Sequence, residues 1–240
     1  MPSVQRFDKS LEPKCQLLHD GLRLSRHSVL RRITMIMVYG SPTTRAFRIL
    51  WLLEELEEPY TCRPIDFRAG EHRSEWFLKL NPHGKVPVVD IDGTILFESA
   101  AIVTHLCELF PNKGMMPALG TPERPHFFKW LHFAMAEMDA ALWTVAKHKF
   151  AYPKELRVEG AELGPKRDLE KAIEVILKEL ETKPYLLGDQ FSAVDLFVTT
   201  MVTWAKRIKL DTLPEALVSW SLKNGERPAF QRALAQARAE

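Results

Sequence analysis

The sequence predicts an α/β domain built on a sheet of about four strands, followed by an all-α domain. Three observations predict it. Between residues 35 and 112 the apolar patterns run strand, helix, strand, helix, hairpin, helix. A linker, 113–122, lies within a stretch (111–125) that holds Pro111, Gly114, Pro117, Gly120, Pro122 and Pro125. From 123 to 240 the apolar residues recur at helical spacings only.

The first 34 residues stand apart. They carry seven Lys and Arg against three Asp and Glu, and they lack the apolar core of a secretory signal. Arginine richness imitates a mitochondrial presequence, but Asp8, Glu12 and Asp20 argue against one. The segment reads as a disordered tail, or as an extension from a start placed too early, with Met35 or Met37 as the functional start.

The α/β domain, 35–112, begins with Ile36-Met37-Val38-Tyr39, a short apolar run ended by Gly40-Ser41-Pro42. The next segment places Ala46, Ile49, Leu50, Leu53 and Leu56 on one helical face, with Arg48, Glu54 and Glu55 outside it. Thr43 or Thr44 suits its N-cap, and Pro59 stops it. Residues 60–67 read as a second strand and 72–80 as a short helix or irregular segment. Val88–Ile91 and Thr94–Phe97 flank Asp92-Gly93, and Asp-Gly between two strand-like runs signals a hairpin, because a type I′ turn needs positive φ twice. Ile102, Val103, Leu106 and Phe110 follow at helical spacing, with Ser99 as the expected N-cap. A strand–helix–strand unit beside an antiparallel hairpin is thioredoxin-like in outline.

In the helical domain, 123–150 carries Phe127, Trp130, Leu131, Ala134, Met138 and Leu142, and 165–180 repeats the pattern with Leu169, Ala172, Ile173, Ile176 and Leu177. Such stripes are core by default. Ser192 and Asp195 have capping-box spacing, and Phe191 and Leu196 occupy the positions of a hydrophobic staple. Their role is structural.

Composition bounds the function. The chain is 46% apolar and 27% charged, as globular proteins are. A net charge of +2 does not suggest nucleic acid as a partner. No apolar run approaches the roughly 20 residues that span a bilayer. Cys15, Cys62 and Cys107 form neither a CxxC nor a metal spacing, which points to a reduced cytoplasmic setting rather than a disulfide framework. His126 and His132 are too far apart for one helical turn and His148 lacks a nearby ligand, so no metal is expected.

The chemistry concentrates in 79–106. Proline opening a strand leaves a ladder acceptor unpaired, so Val86, before Pro87, is able to offer its backbone to a ligand. A helix start near Ser99 favours an anion. A small peptide with a free carboxylate suits both features. The run NPHGKVPVV, then DG, then ESAAI resembles the glutathione-site stretch of the cytosolic glutathione transferases, of a microbial serine/threonine type. The resemblance spans about 36–235 and includes SPTTRAFRILWLLEEL, the 187–196 motif and Arg227-Pro228-Ala229-Phe230. It implies the family's fold, a thioredoxin-like domain before a helical one. It implies a cis Val86-Pro87 bond, with Val86 pairing the cysteinyl part of glutathione and Glu98 and Ser99 holding its γ-glutamyl end. Lys85 reaches the glycyl carboxylate on the same reading, while His83 reads as a solvated loop residue.

By that resemblance the turn after the first strand holds the hydroxyl that activates the thiol. Ser41 matches the delta-like and theta-like pattern, Thr43 the zeta-like and tau-like one, and Thr44 the place where several microbial members carry Ser. Tyr39 is the candidate of a tyrosine-type enzyme, which this turn does not resemble. The nucleophile is a thiolate. One charge-assisted hydrogen bond, about 1.5–3 kcal/mol, supplies one or two pKa units at about 1.4 kcal/mol each. Alternatively, the threonines only cap the helix.

The resemblance thus implies a cytoplasmic, homodimeric detoxification enzyme that binds glutathione as co-substrate, uses no metal and adds the thiolate to a small hydrophobic electrophile. Phe127, Trp130, Phe133, Met135 and Trp143 are the residues expected near the second-substrate pocket. Two alternatives stand beside it. One is a glutathione-dependent disulfide or peroxide reductase of the same fold, which would use bound glutathione alone because no resolving cysteine lies near the turn. The other is a non-catalytic module kept for binding, since two of the three hydroxyl positions carry Thr rather than Ser.

Overall fold

The computed structural model describes residues 33–210 and 213–236. Apart from Ile33 and Thr34, the expected N-terminal extension lies outside the described residues, as does Cys15. Four strands form one mixed sheet in the order β2-β1-β3-β4. β1 (Ile36–Tyr39) runs parallel to β2 (Thr61–Arg63) and antiparallel to β3 (Val88–Ile91), which pairs with β4 (Thr94–Phe97). The hairpin forms at Asp92 (φ 48°) and Gly93 (φ 88°), so both turn positions have the positive φ that Asp-Gly predicts. Asp90 closes it by accepting the Gly93 N–H at 2.7 Å.

β2 is much shorter than the eight residues expected. Pro64 follows it and has no N–H to give a ladder. Asp66 then accepts the N–H groups of Arg68 and Ala69, an Asx turn that takes the backbone away from the sheet. A 3₁₀ turn (Glu71–Arg73) leads into α2 (Glu75–Leu80), with Ser74 as N-cap.

The first helix, α1 (Phe47–Leu56), starts later than a threonine cap predicts, with Ala46 at the cap position. Thr44 caps the preceding turn instead, its Oγ1 accepting the Ala46 N–H. The helix is buried almost all round, Arg48, Trp51 and Leu52 included, which corrects the placing of Arg48 outside the apolar face. It is covered by the sheet, by α3 (Ser99–Leu109), by α7 (Ala193–Arg207) and by α9 (Pro228–Ala235). In α3 the cap position belongs to Glu98 (φ 72°), and Ser99 is the first helical residue, one step beyond its expected role.

Residues 123–151 form a continuous helical run, but not one uniform α-helix. α4 (Glu123–Phe133) passes through a π-helical segment (Ala134–Asp139) into α5 (Ala140–Ala146), and a second π segment (Lys147–Ala151) follows. α6 (Leu163–Leu180) packs on α5. α7 starts with the expected capping box: Asp195 accepts the Ser192 N–H at 2.9 Å and its Oγ–H at 2.7 Å. α8 (Glu215–Gly225) precedes α9. One apolar core runs from Val38 and Val89 of the sheet through α1 to Phe127, Leu142 and Phe197 of the helical part. A smaller core of Ile65, Phe77 and Val88 lies under α2. The fold is a thioredoxin-like sheet domain joined to an all-helical domain.

Candidate active site

An open cleft of about 1430 Å³ lies between the turn before α1, the 83–86 loop and the C-terminal ends of α5 and α7. Gly40 brings the first two walls together. A Cβ there would lie 2.5 Å from Ala46 Cβ and 3.2 Å from Val86 Cβ, and its φ of 134° suits glycine alone. Val86 lines the cleft and its bond to Pro87 is cis. Among the described residues its peptide groups take no hydrogen-bond partner, so they stay open to a ligand. Buried Asn81 fixes the loop before it, donating to the Lys85 carbonyl at 2.8 Å and accepting the His83 N–H at 3.0 Å. Gly84 (φ 63°) is required because a Cβ there would meet the His72 carbonyl at 2.8 Å.

The three hydroxyls of the turn differ in what they already hold. Thr44 Oγ1 donates to the Ser41 carbonyl at 2.7 Å, so its proton is spent. Ser41 Oγ and Thr43 Oγ1 are 2.8 Å apart, and one of them donates to the other. Thr43 and Thr44 line the cleft, while Ser41 is not among its lining residues. Lys85 lines the opposite side, its ammonium 5.6 Å from the Trp143 ring. Burial lowers its pKa, and neighbouring Arg45 adds to this against the pull of Glu98. Glu98 is exposed and Ser99 is buried; neither lines the cleft. Ser99 Oγ faces Arg48, which donates to it at 3.3 Å. His83 lines the cleft, as do Arg73 and His72. Among the described residues the buried His72 Nδ1 has no hydrogen-bond partner.

Behind the turn sits a charge cluster that sequence reasoning missed. Arg45 donates to both oxygens of Asp139, at 3.1, 3.1 and 2.7 Å, and Arg48 pairs with the same carboxylate. Arg48, 2% exposed, also donates to Thr200 at 3.2 Å. The Arg45 guanidinium lies between the Trp143 and Trp204 rings, 4.9 and 4.5 Å from their centres. Burial pushes the Asp139 carboxyl up, but the charges and hydrogen bonds of the two arginines outweigh it and hold the pKa at about 2. Asp139 ends the first π segment, and 91 residues separate it from Arg48, so periodicity gives no sign of the pair.

Of the five residues expected near the second-substrate pocket, Trp143 alone lines this cleft. Phe127 is core. Trp130 and Phe133 line a separate recess with Val175 and Lys183. Met135 packs its sulfur against Arg48. Parallel pairing brings Cys62, distant in sequence, to the turn, its Sγ 3.2 Å from the Gly40 carbonyl. Among the described residues no group of three or more His, Cys, Asp or Glu is placed to hold a metal ion, and no helix is long and apolar enough to cross a membrane.

Two family models match the chain: "Glutathione S-transferase, N-terminal domain" over residues 34–108, and the family's "C-terminal domain" over 166–235. Glutathione S-transferase hmp2 of Hypomyces subiculosus is 36% identical over 172 residues, covering 68% of this chain and 79% of the relative. Disulfide-bond oxidoreductase YfcG of Escherichia coli is 30% identical over 213 residues, covering 85% and 96%. A crystal structure of a glutathione transferase from Methylococcus capsulatus superposes with a TM-score of 0.76 at 25% identity, covering 86% of this chain and all of that one. With both halves matched in order and a relative this similar over two thirds of its length, the chain belongs to the glutathione S-transferase family of enzymes.

Proposed function

We propose that this chain binds glutathione along Val86, ionises its thiol beside the α1 turn and transfers the sulfur to a small electrophile in the cleft. One observation carries the reading: Val86, its peptide groups open, and the hydroxyl turn close on the same Gly40, where an added Cβ would lie 3.2 Å from Val86 Cβ and 3.5 Å from Thr44 Oγ1, and Val86, Thr43 and Thr44 all line the cleft. The thiol loses its proton to water, and the thiolate forms the new carbon–sulfur bond while the leaving group departs with the bonding pair. Ser41 donates to Thr43, and Thr43 donates its own proton to the sulfur. Lys85 pairs with the glycyl carboxylate and Glu98 with the γ-glutamyl ammonium. The backbone N–H of Ser99, at the first position of α3, receives the γ-glutamyl carboxylate, as helix starts favour anions. The enzyme acts as a homodimer in the cytoplasm.

A second reading is favoured by the similarity to YfcG: the same thiolate attacks a disulfide, and a second glutathione releases the mixed disulfide as oxidised glutathione. The two readings share an ionised thiol and differ in acceptor. The test is the ultraviolet thiolate absorbance of bound glutathione against pH, in wild type and in Ser41→Ala, Thr43→Ala and Thr44→Ala. Wild type is expected to ionise the thiol below its ordinary pKa of about 8.5. Thr43→Ala should raise that value by about one to two units, Ser41→Ala by less and Thr44→Ala hardly at all. An unshifted thiol in all four proteins would overturn catalysis and leave a binding module. Turnover of an aryl halide against that of a small disulfide then separates transferase from reductase.

A further inference from the structure

The chain carries a net charge of only +2, yet among the described residues no Asp or Glu lines the cleft. Its cations fall into groups. Arg45 and Arg48 line the cleft, but both are paired with Asp139. Arg73 and Lys85, the latter proposed to take the glycyl carboxylate of glutathione, stand on the α/β side. Lys147, Lys149, Arg207 and Lys209 stand on the helical side, and glutathione leaves them unused. None of these four pairs with a carboxylate among the described residues. Lys149 donates to the Ile208 carbonyl at 2.8 Å, which holds the ends of α5 and α7 together. Lys147 lies 5.7 Å from the Tyr152 ring. Arg207 donates to the Thr43 carbonyl at 2.7 Å, so one cation sits beside the hydroxyl proposed to face the sulfur. Phe150, 53% exposed, lines the same side.

We propose that the helical side of the cleft is an anion subsite, and that the electrophile conjugated here bears a carboxylate, sulfonate or phosphate on an aromatic body. The proposal deepens the transferase reading and rests on it for the word electrophile. The physical case is repulsion. A thiolate and an anionic electrophile repel each other in water, and unpaired cations beside the reacting atoms remove that barrier. A neutral electrophile lacks that repulsion and so gains less from them. The tyrosine and phenylalanine supply apolar contact for the ring.

The test compares para-chloro-meta-nitrobenzoate with its methyl ester. In both, the thiolate forms the carbon–sulfur bond and chloride leaves. Each kcat/KM is divided by the uncatalysed rate constant with glutathione at the same pH, which removes the intrinsic difference in reactivity. Wild type should favour the carboxylate about tenfold or more, and the preference should shrink as salt is raised. The double variant Lys147→Gln/Lys209→Gln should bring the two substrates to parity, with ester turnover and the KM for glutathione unchanged. Equal or lower efficiency for the carboxylate in wild type, or a preference that survives the double variant, would overturn the anion subsite. Quenching of tryptophan fluorescence by meta-nitrobenzoate and by its methyl ester, with glutathione present, supplies an arm free of turnover. If neither chloride reacts but the nitrobenzoate binds more tightly than its ester, and the double variant abolishes this, the transferase reading fails and the anion subsite stands. If both chlorides react and the nitrobenzoate binds no better than its ester, the reverse holds.

Discussion

Thr43 and Thr44 are neighbours in sequence, and their hydroxyls are committed differently. Thr44 Oγ1 accepts the Ala46 N–H at 3.1 Å and donates to the Ser41 carbonyl at 2.7 Å, so it builds the turn. Thr44→Val removes both bonds and should cost about 1–2 kcal/mol of stability while leaving the thiol pKa of bound glutathione in place. Thr43→Val should do the opposite. Thermal melts run beside the thiolate titration read both effects, and a Thr44 variant that melts normally but loses ionisation would reverse the assignment. The sequence narrows the hydroxyl to three positions and cannot choose among them. The choice depends on which proton is already committed, and that is set by a turn closed through a backbone carbonyl. Arg48 illustrates the same limit. A charged residue on an amphipathic helix is placed facing water by default, and only the carboxylate from another element, Asp139, makes its burial tolerable.

At the scale of elements, the start of α7 is the most legible part of the helical domain and the easiest to break. Asp195 is fully buried, and its Oδ1 accepts the Leu186 N–H at 2.8 Å while its Oδ2 takes the Ser192 N–H and hydroxyl. Asp195→Ala would strand two buried N–H donors and lose the cap. It should cost roughly 3 kcal/mol or more, read as a lower urea midpoint with an unchanged KM for glutathione in the protein that remains folded. A loss under about 1 kcal/mol would mean that water replaces the carboxylate. The hairpin was equally legible, because Asp92-Gly93 encodes its own turn. So was the loop before Pro87, where Asn81 and Gly84 each satisfy a local demand. Reading 60–67 as one strand gives too little weight to Pro64 and Asp66 within it: proline has no N–H for a ladder, and the Asp66 side chain closes a turn. The two π segments leave no trace in spacing counted at the α period, and they decide where Asp139 and Trp143 point. The cleft's second wall was therefore the least legible part of the site, with one correct residue of the five expected.

For the whole molecule, Asp139 ties the helical part to α1, and the shared apolar core runs through the same place. The two parts should therefore unfold together although the linker separates them in sequence. The pair also sets the acid response. Burial raises the Asp139 pKa, yet the two arginines hold it at about 2 in the folded protein, below its ordinary value of 3.8. A depressed carboxyl stabilises the fold above the unfolded value and stops doing so as protons reach it. Wild type should keep this contribution, roughly 2 kcal/mol, above about pH 4 and lose it progressively from pH 4 down to pH 2. Asp139→Asn leaves Arg48 buried with its charge uncompensated, so it should be about 3–5 kcal/mol less stable at neutral pH and show a flatter stability profile between pH 4 and pH 2. Urea unfolding at a series of pH values, followed by circular dichroism and by tryptophan fluorescence, measures both statements at once. Trp76 reports from the α/β part, and Trp143 and Trp204 report from the helical part. Coincident transitions that both shift on acidification would place the coupling at Asp139. Two separated transitions, with the variant lowering only one, would mean that neither the ion pair nor the shared core joins the halves.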